Sequence, residues 1–317
     1  MEKPKVAITL GDPAGIGPEI VLRAINSLVV QRVCSPIVLG DKYIIEKYFN
    51  INSSKASFQF TSDYKDTIHF GKPSKISGLI ACDAIRSAVN LCMSKVTKSM
   101  ITAPVSKESF KFAGLPYSGH TEFLAKLTKS KKYCMMMVCN SINSVMVTRH
   151  LPISEISKSL TKKDIITTTT LAANFIEQID NKKPKIIICA LNPHAGDNGI
   201  LGLDEKETII PAIKELNKIK FDISGPLPAD IAWSKIIKKQ YDLIVAMYHD
   251  QVMIPLKIID YTKVVNVTAG LPFVRTSPGH GTAFDIAGQN KADPTSMIES
   301  ILFAVKASKK YNYNKNK

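Results

Sequence analysis

Five of the six histidines sit in short strings rich in glycine or proline: YSGHTE (117–122), VTRHLP (147–152), LNPHAGDNG (191–199), MYHDQ (247–251) and SPGHGTAFDIAG (277–288). The sixth, His69, lies in a featureless stretch. His150, His194 and His249 each come just past the end of an apolar, strand-like run. Ligands of open α/β sheets bind beyond the carboxyl ends of the strands. Three imidazoles delivered to one such edge can hold a single divalent cation and leave a coordination position open for a reactant. Each histidine taken alone is equally compatible with a hydrogen-bonded loop residue, and ligands far apart in sequence have no fixed spacing that decides.

Two further strings are suited to anions. SGHTEF opens a helix, so the Gly119–Thr121 amides and the Thr121 hydroxyl could either hold an anion or simply cap the helix. GDPAGIGPE (11–19) is a glycine loop between a strand and a helix, open to a phosphate role or to a plain tight turn. It is neither G-x-G-x-x-G nor G-x-x-x-x-G-K-[ST]. Nucleophile elbows of the G-x-S-x-G kind, H-E-x-x-H and C-x-x-C pairs are all absent.

The elements that must position these strings alternate between strand and helix. VAITL (6–10), PIVLG (36–40), SMITAPV (99–105), KIIICAL (185–191), LIVAMY (243–248) and VVNVT (264–268) are short and apolar on both faces, as in parallel strands covered by helices. Helical periodicity fills 78–95, 164–179, 206–219 and 294–310, and a helix opens at Pro18. CMMMVCN-SINS-VMVTRH (134–150) predicts a hairpin, at a sheet edge or a subunit contact. The fold class is α/β with a mixed or mostly parallel sheet, in two lobes, with an irregular tail after Lys310.

Composition excludes several classes. The 317 residues include 45% hydrophobic and 22% charged residues, enough for a sizeable core. MEKPKVAITL runs straight into a strand, which argues against a signal peptide, and no apolar stretch approaches the roughly 18 residues of a membrane span. A cytoplasmic protein without a membrane partner is expected. Six scattered cysteines predict reduced core thiols. The net charge of +15 comes almost entirely from lysine spread along the chain, and aromatic residues do not interleave with it, so a nucleic-acid partner is not expected. Where lysine is the default cation, a retained arginine such as Arg275 marks a place for a planar fork.

Taken together, GDPAGIGPE, TAPVSK, SGHTE, LNPHAG, YHDQ and VNVTAGLPFVRTSPGHGTAFDIAG resemble the 4-hydroxythreonine-4-phosphate dehydrogenase family of pyridoxal phosphate (vitamin B6) biosynthesis, in the family's order from about residue 7 to 290. The last string is also similar to the nucleotide-binding stretch of isocitrate and isopropylmalate dehydrogenases, which bind NAD without a G-x-G-x-x-G loop. The resemblance implies their two-lobed α/β/α architecture with the active site between lobes, residues 1–117 and 262–317 forming a cofactor-side lobe and 118–261 a central lobe. It implies a divalent metal (zinc, magnesium or cobalt) on His150, His194 and His249, contributed across a homodimer. His120, Thr121, Lys257, Asn266 and Arg275 match substrate-binding positions, and His280, Gly281 and Asp285 match cofactor positions for NAD, with NADP possible. Asp230 and Asp250 are candidates for proton transfer. The activity implied is oxidation of 4-phosphohydroxy-L-threonine to a β-keto acid that decarboxylates to 3-amino-2-oxopropyl phosphate. Alternatives are a paralogous dehydrogenase for another phosphorylated hydroxy acid or a dihydrodiol, and, more remotely, a phosphate acyltransferase. Val252, Met253 and Pro278–Gly279 depart from the family's usual residues, which is expected to alter the wall of the site.

Overall fold

The computed structural model describes residues 3–117, 119–219 and 221–312; most of the tail expected after Lys310 lies outside them. The strands are β1 (Lys5–Thr9), β2 (Ser35–Asp41), β3 (Ser57–Ser62), β4 (Ser99–Thr102), β5 (Cys134–Cys139), β6 (Ile142–Met146), β7 (Lys185–Cys189), β8 (Asp222–Leu227), β9 (Leu243–Ala246), β10 (Val265–Ala269) and β11 (Val274–Pro278). All belong to one sheet in the order β3-β2-β1-β4-β11-β10-β5-β6-β9-β7-β8. The wing from β3 to β11 is parallel, as is the wing from β6 to β8. Antiparallel pairings of β11, β10, β5 and β6 join the two wings.

The strands expected from sequence are all present, for the reason anticipated: β1, β4, β7 and β9 are buried on both faces. Three strands carry no such signature. β3 and β8 close the two ends of the sheet and expose much of their polar sequence, while β11 buries the polar sequence VRTSP. The hairpin forms as β5 and β6, turning at Asn140 and Ser141, both with positive φ (46° and 69°), as tight hairpin turns require. Its expected place at a sheet edge is corrected: the pair is central, flanked by β10 and β9, because its methionines, valines and cysteines have apolar layers on both faces.

Helices cover the sheet. One of them, Lys75–Met93, corrects the expectation about membrane spans, because it is long and apolar enough by length and composition to cross a membrane. More than half of its apolar window is buried, with Ile85, Ala88 and Val89 packed in the core beside Phe110 and Phe123. A core helix meets the same criterion as a span because both must be apolar over several turns. All six cysteines are free and buried; burial pushes the Cys92 and Cys189 thiols up to about 12, which keeps them unreactive.

The glycine loop after β1 is buried throughout, and its amides are used internally. Asp12 N–H donates to Pro104 O (2.9 Å) and Ile16 N–H to Thr282 O (3.0 Å). The Asp12 carboxylate accepts from Ala14 N–H (2.9 Å) and Ser109 Oγ (2.6 Å). Of the two roles left open for this string, the tight turn fits, and it seats the 280s segment. Gly11 has φ +71°, and a Cβ there would lie 2.3 Å from Pro104 O. Gly11→Ala should therefore lose stability by roughly 1–3 kcal/mol from the strained φ alone, with the clash adding more. A chemical denaturation midpoint equal to wild type would contradict this role.

Candidate active site

Alternation along neighbouring strands builds the floor of a cavity. Register places Asn266 opposite Ser277 and Thr268 opposite Arg275 on β10 and β11, and Arg275 opposite Met100 on β4. Positions two apart share a face, so Thr102, Asn266, Thr268, Arg275 and Ser277 all turn to one side. Arg275 is 2% exposed. Its Nη1 donates to Thr268 Oγ1 (3.0 Å) and its Nη2 to Thr102 Oγ1 (2.8 Å). It forms no ion pair among the described residues, and burial lowers its pKa to about 10. A buried cation in that condition is a binding group awaiting an anion.

The helix His120–Thr128 starts at the same cavity, with no side chain capping its first turn. Its positive dipole end adds to the field of Arg275. His120 is buried, and its pKa lies well below 6.5, first through burial and then through Arg275; it is a neutral imidazole. The cavity measures about 280 Å3. His120 Nε2, Asn266 Oδ1, Arg275 Nε and His280 Nε2 are buried polar atoms without partners, and all four residues line it. Orphaned polar atoms are costly, and four at one cavity mark a ligand site. A larger cleft of about 620 Å3 beside Lys95, Lys98 and Lys309 holds no atom of that kind, so volume does not decide here.

His150 and His249 stand at the rim. β6, β9 and β7 are adjacent and parallel, so their carboxyl ends share one edge of the sheet. Thr148 N–H donates to Met247 O (3.0 Å) across β6 and β9. Gln251 joins β9 to β7, accepting from Met247 N–H (2.9 Å) and donating to Ala190 O (2.9 Å). His150, His249 and His194 follow those ends within a few residues. The His150 and His249 rings lie 5.7 Å apart between centroids, and His150 lines the cavity. Burial foremost, then Lys107, lowers the His150 pKa. His249 Nδ1 is bonded to Asp250 Oδ1 (2.6 Å), a contact that orients the ring, as carboxylates do for ligating histidines. His194 is exposed on a turn where His194, Ala195, Gly196, Asp197 and Asn198 are all left-handed; each non-glycine residue there costs roughly 1–2 kcal/mol. No group of three His, Cys, Asp or Glu residues able to hold a metal forms within one chain among the described residues.

The remaining expected residues scatter. Thr121 and Gly281 line the cavity, and a Cβ on Gly281 would meet nothing within 4 Å. His280 Nδ1 contacts Gly281 O (3.0 Å), and burial lowers its pKa. Lys257 lies outside the lining, with Nζ 4.9 Å from the Tyr261 ring centroid, near enough to oppose protonation of His280. Asp230 and Asp285 are exposed and away from the lining. Val252 and Met253 are buried with Trp233 in the core, not in the cavity wall as expected; only Pro278 of the departures lines it. Thr102, Thr268, Lys107 and Glu122 were not singled out from sequence, although TAPVSK and SGHTE contain three of them. Glu122 lies 3.7 Å from Arg149 and is the sole carboxylate in the lining among the described residues.

Comparison with known proteins places the chain in a family. Residues 32–304 match the family model described as "Pyridoxal phosphate biosynthetic protein PdxA". The chain is 40% identical over 316 residues to 4-hydroxythreonine-4-phosphate dehydrogenase of Sulfurihydrogenibium sp. (strain YO3AOP1), covering 95% of this chain and 97% of the relative. It is 35% identical to a protein of Oceanobacillus iheyensis provisionally named a D-threonate 4-phosphate dehydrogenase, covering 96% and 98%. The crystal structure of 4-hydroxythreonine-4-phosphate dehydrogenase from Klebsiella pneumoniae superposes with a TM-score of 0.87 at 32% identity, covering 96% of this chain and all of that one.

A histidine held neutral by burial titrates upward on unfolding. Because its folded pKa lies below the unfolded value near 6.5, the stability it contributes is complete above that pH and declines as pH falls below it. The melting temperature of the wild type should fall between pH 7 and pH 5, and His120→Asn should flatten that slope. An unchanged slope in the variant would show that His120 does not control it.

Proposed function

Since the chain belongs to the family of the pyridoxal phosphate biosynthetic protein PdxA, whose relatives are named as dehydrogenases, we propose that it oxidises 4-phosphohydroxy-L-threonine with NAD, or NADP as the second choice. The product is a β-keto acid, which loses CO2 to leave 3-amino-2-oxopropyl phosphate, a step towards pyridoxal phosphate. The observation that carries this proposal is the convergence of four orphaned polar atoms on a cavity that has a buried, unpaired arginine at its floor and an imidazole pair at its rim.

Arg275 takes an anionic group of the substrate through Nε, its two other nitrogens being already fixed by threonines. The first turn of the helix at His120 and the Asn266 side chain supply further contacts, and Lys257 adds positive charge from the neighbouring helix. Anchoring a remote phosphate fixes the pose of the reacting carbon. The donor set fits a divalent cation: burial disfavours the charged form of His150, and Asp250 orients the neighbouring His249 ring through Nδ1. A cation (zinc, magnesium or cobalt) on His150, His194 and His249 would favour loss of the substrate's hydroxyl proton, and a nicotinamide dinucleotide near His280, Gly281 and Asp285 would accept hydride. Asp250 acts here as an orienting group, and Asp230 receives no proton-transfer role.

The proposed enzyme is a cytoplasmic homodimer with no nucleic-acid or membrane partner. Exposed apolar side chains follow each histidine: Leu151 and Ile153 after His150, Ile200, Leu201 and Leu203 after His194, Ile254 and Ile258 on the helix His249–Ile259. A second copy covering these residues would bring its His194 to the partner's pair. Residues 1–117 with 262–317 then form the cofactor-side lobe and 118–261 the histidine-bearing lobe, in keeping with the two parallel wings.

The Oceanobacillus iheyensis relative favours D-threonate 4-phosphate as a second substrate reading, with a hydroxyl where threonine carries its amine. With metal present, 4-phosphohydroxy-L-threonine should yield NADH and CO2 together; turnover of D-threonate 4-phosphate alone would select the second reading. Arg275→Lys should lower kcat/KM about 10- to 100-fold, the loss of a charge-assisted contact, on phosphorylated substrate only. An equal loss on the unphosphorylated analogue would contradict the anchoring role. Because His150 and His249 are neighbours in one chain, heterodimers of His194→Ala with His249→Ala should regain one intact site. Pairs of His150→Ala with His249→Ala should regain none. Failure of the first pairing in verified heterodimers would refute a site shared in this way.

A further inference from the structure

We propose that Glu205 is a positioning residue of the metal site: its buried carboxylate holds the left-handed turn that carries His194. This goes beyond the ligand assignment but depends on it, since it requires His194 to be a ligand. Six successive residues of that turn have positive φ, from His194 (51°) to Gly199 (94°), and four of them are not glycine. L-residues enter this region singly, so a run of them persists only where the surroundings over-determine it.

Glu205 provides that constraint. It is 3% exposed and lies outside the cavity lining. Its Oε1 accepts from the backbone N–H of Leu191 (2.9 Å) and of Asn192 (2.8 Å), and its Oε2 accepts from Asn192 Nδ2 (3.0 Å). The same Oε2 packs over Gly196, where an added Cβ would stand 2.5 Å away. The carboxylate thus grips the chain just before the turn and fills the space beneath its middle. Asp204 extends the clamp, accepting from Asn192 Nδ2 (2.9 Å) and from Ser157 Oγ (2.5 Å). Ser157 sits on the helix Ile153–Ser159, which follows His150. Two adjacent carboxylates therefore tie the segment bearing His194 to the one leaving His150. A buried acid with three bonds to the base of a strained turn has a geometric task, since it touches neither reactant nor histidine ring.

The test is titration of Co2+ alone into the metal-free full-length protein, followed by calorimetry and visible absorption. Glu205→Gln keeps Oε1 as acceptor but aims an N–H2 group at Asn192 Nδ2. The expected result is Co2+ affinity reduced about 10- to 100-fold, the scale of lost outer-shell support, an altered absorption band, and a melting temperature of the metal-free protein near wild type. Turnover should recover at saturating Co2+. Wild-type Co2+ affinity in the variant, or an affinity loss that merely follows collapse of thermal stability, overturns the clamp. Should Glu205→Gln not fold, Asn192→Ala deletes only the Nδ2 contacts, and several-fold weaker binding is expected; unchanged binding overturns the proposal. His194→Ala separates the two levels. If it abolishes Co2+ binding while Glu205→Gln does not weaken it, the clamp alone fails. If it binds Co2+ like wild type, the ligand assignment fails and the clamp with it.

Discussion

A guanidinium buried without a counter-ion constrains most of what surrounds it. Desolvating a cation costs several kcal/mol unless partners replace the water, and among the described residues Arg275 donates only to the hydroxyls of Thr102 and Thr268. Those hydroxyls arrive from β4 and β10, so the registers on both sides of β11 must hold. The helix starting at His120 adds its positive end to the same space, and His120 remains uncharged because it is buried beside this field. Glu122 moderates that charge, favouring the protonated arginine. An anion entering this space would offset the cost of burying the guanidinium, as a phosphate or carboxylate can.

The antiparallel centre of the sheet connects this anion site to the histidines. β10 contributes Asn266, β5 pairs with it, and β6 leads within a few residues to His150. The anion end is therefore fixed by a hydrogen-bonded ladder, while the histidines follow the ends of its strands. The histidine end is looser: it is exposed, flanked by apolar side chains, and includes a turn of left-handed residues packed against the buried Glu205 carboxylate. A surface of that composition is suited to contact with another copy of the chain.

The strands with apolar residues on both faces were legible because burial on two sides leaves a continuous apolar run. β11 was not, since VRTSP reads as a polar loop; it becomes a buried strand only because Thr102, Thr268 and the helix above it satisfy its polar groups. The hairpin was recognisable from its turn residues, but its central place depended on partners far away in sequence. Lys107 and Glu122 lay inside strings already flagged for their types, and no local pattern distinguished them from ordinary surface charges. The glycine loop at residues 11–17 had two possible roles, and the direction of its amides, a tertiary property, decided for the turn.

Residue types and short-range pattern by themselves determined the α/β class, the reduced cysteines, the strand ends that carry His150, His194 and His249, and the identity of Arg275 as an unusual cation. These follow from local physics: periodicity, turn chemistry and the rarity of a side chain. Tertiary structure alone decided that β6, β9 and β7 are neighbours, that His150 and His249 meet within one chain, and that Thr102 and Thr268 flank the guanidinium. Sheet order and register depend on contacts between residues tens to hundreds of positions apart, and their energies exist only once the chain has folded.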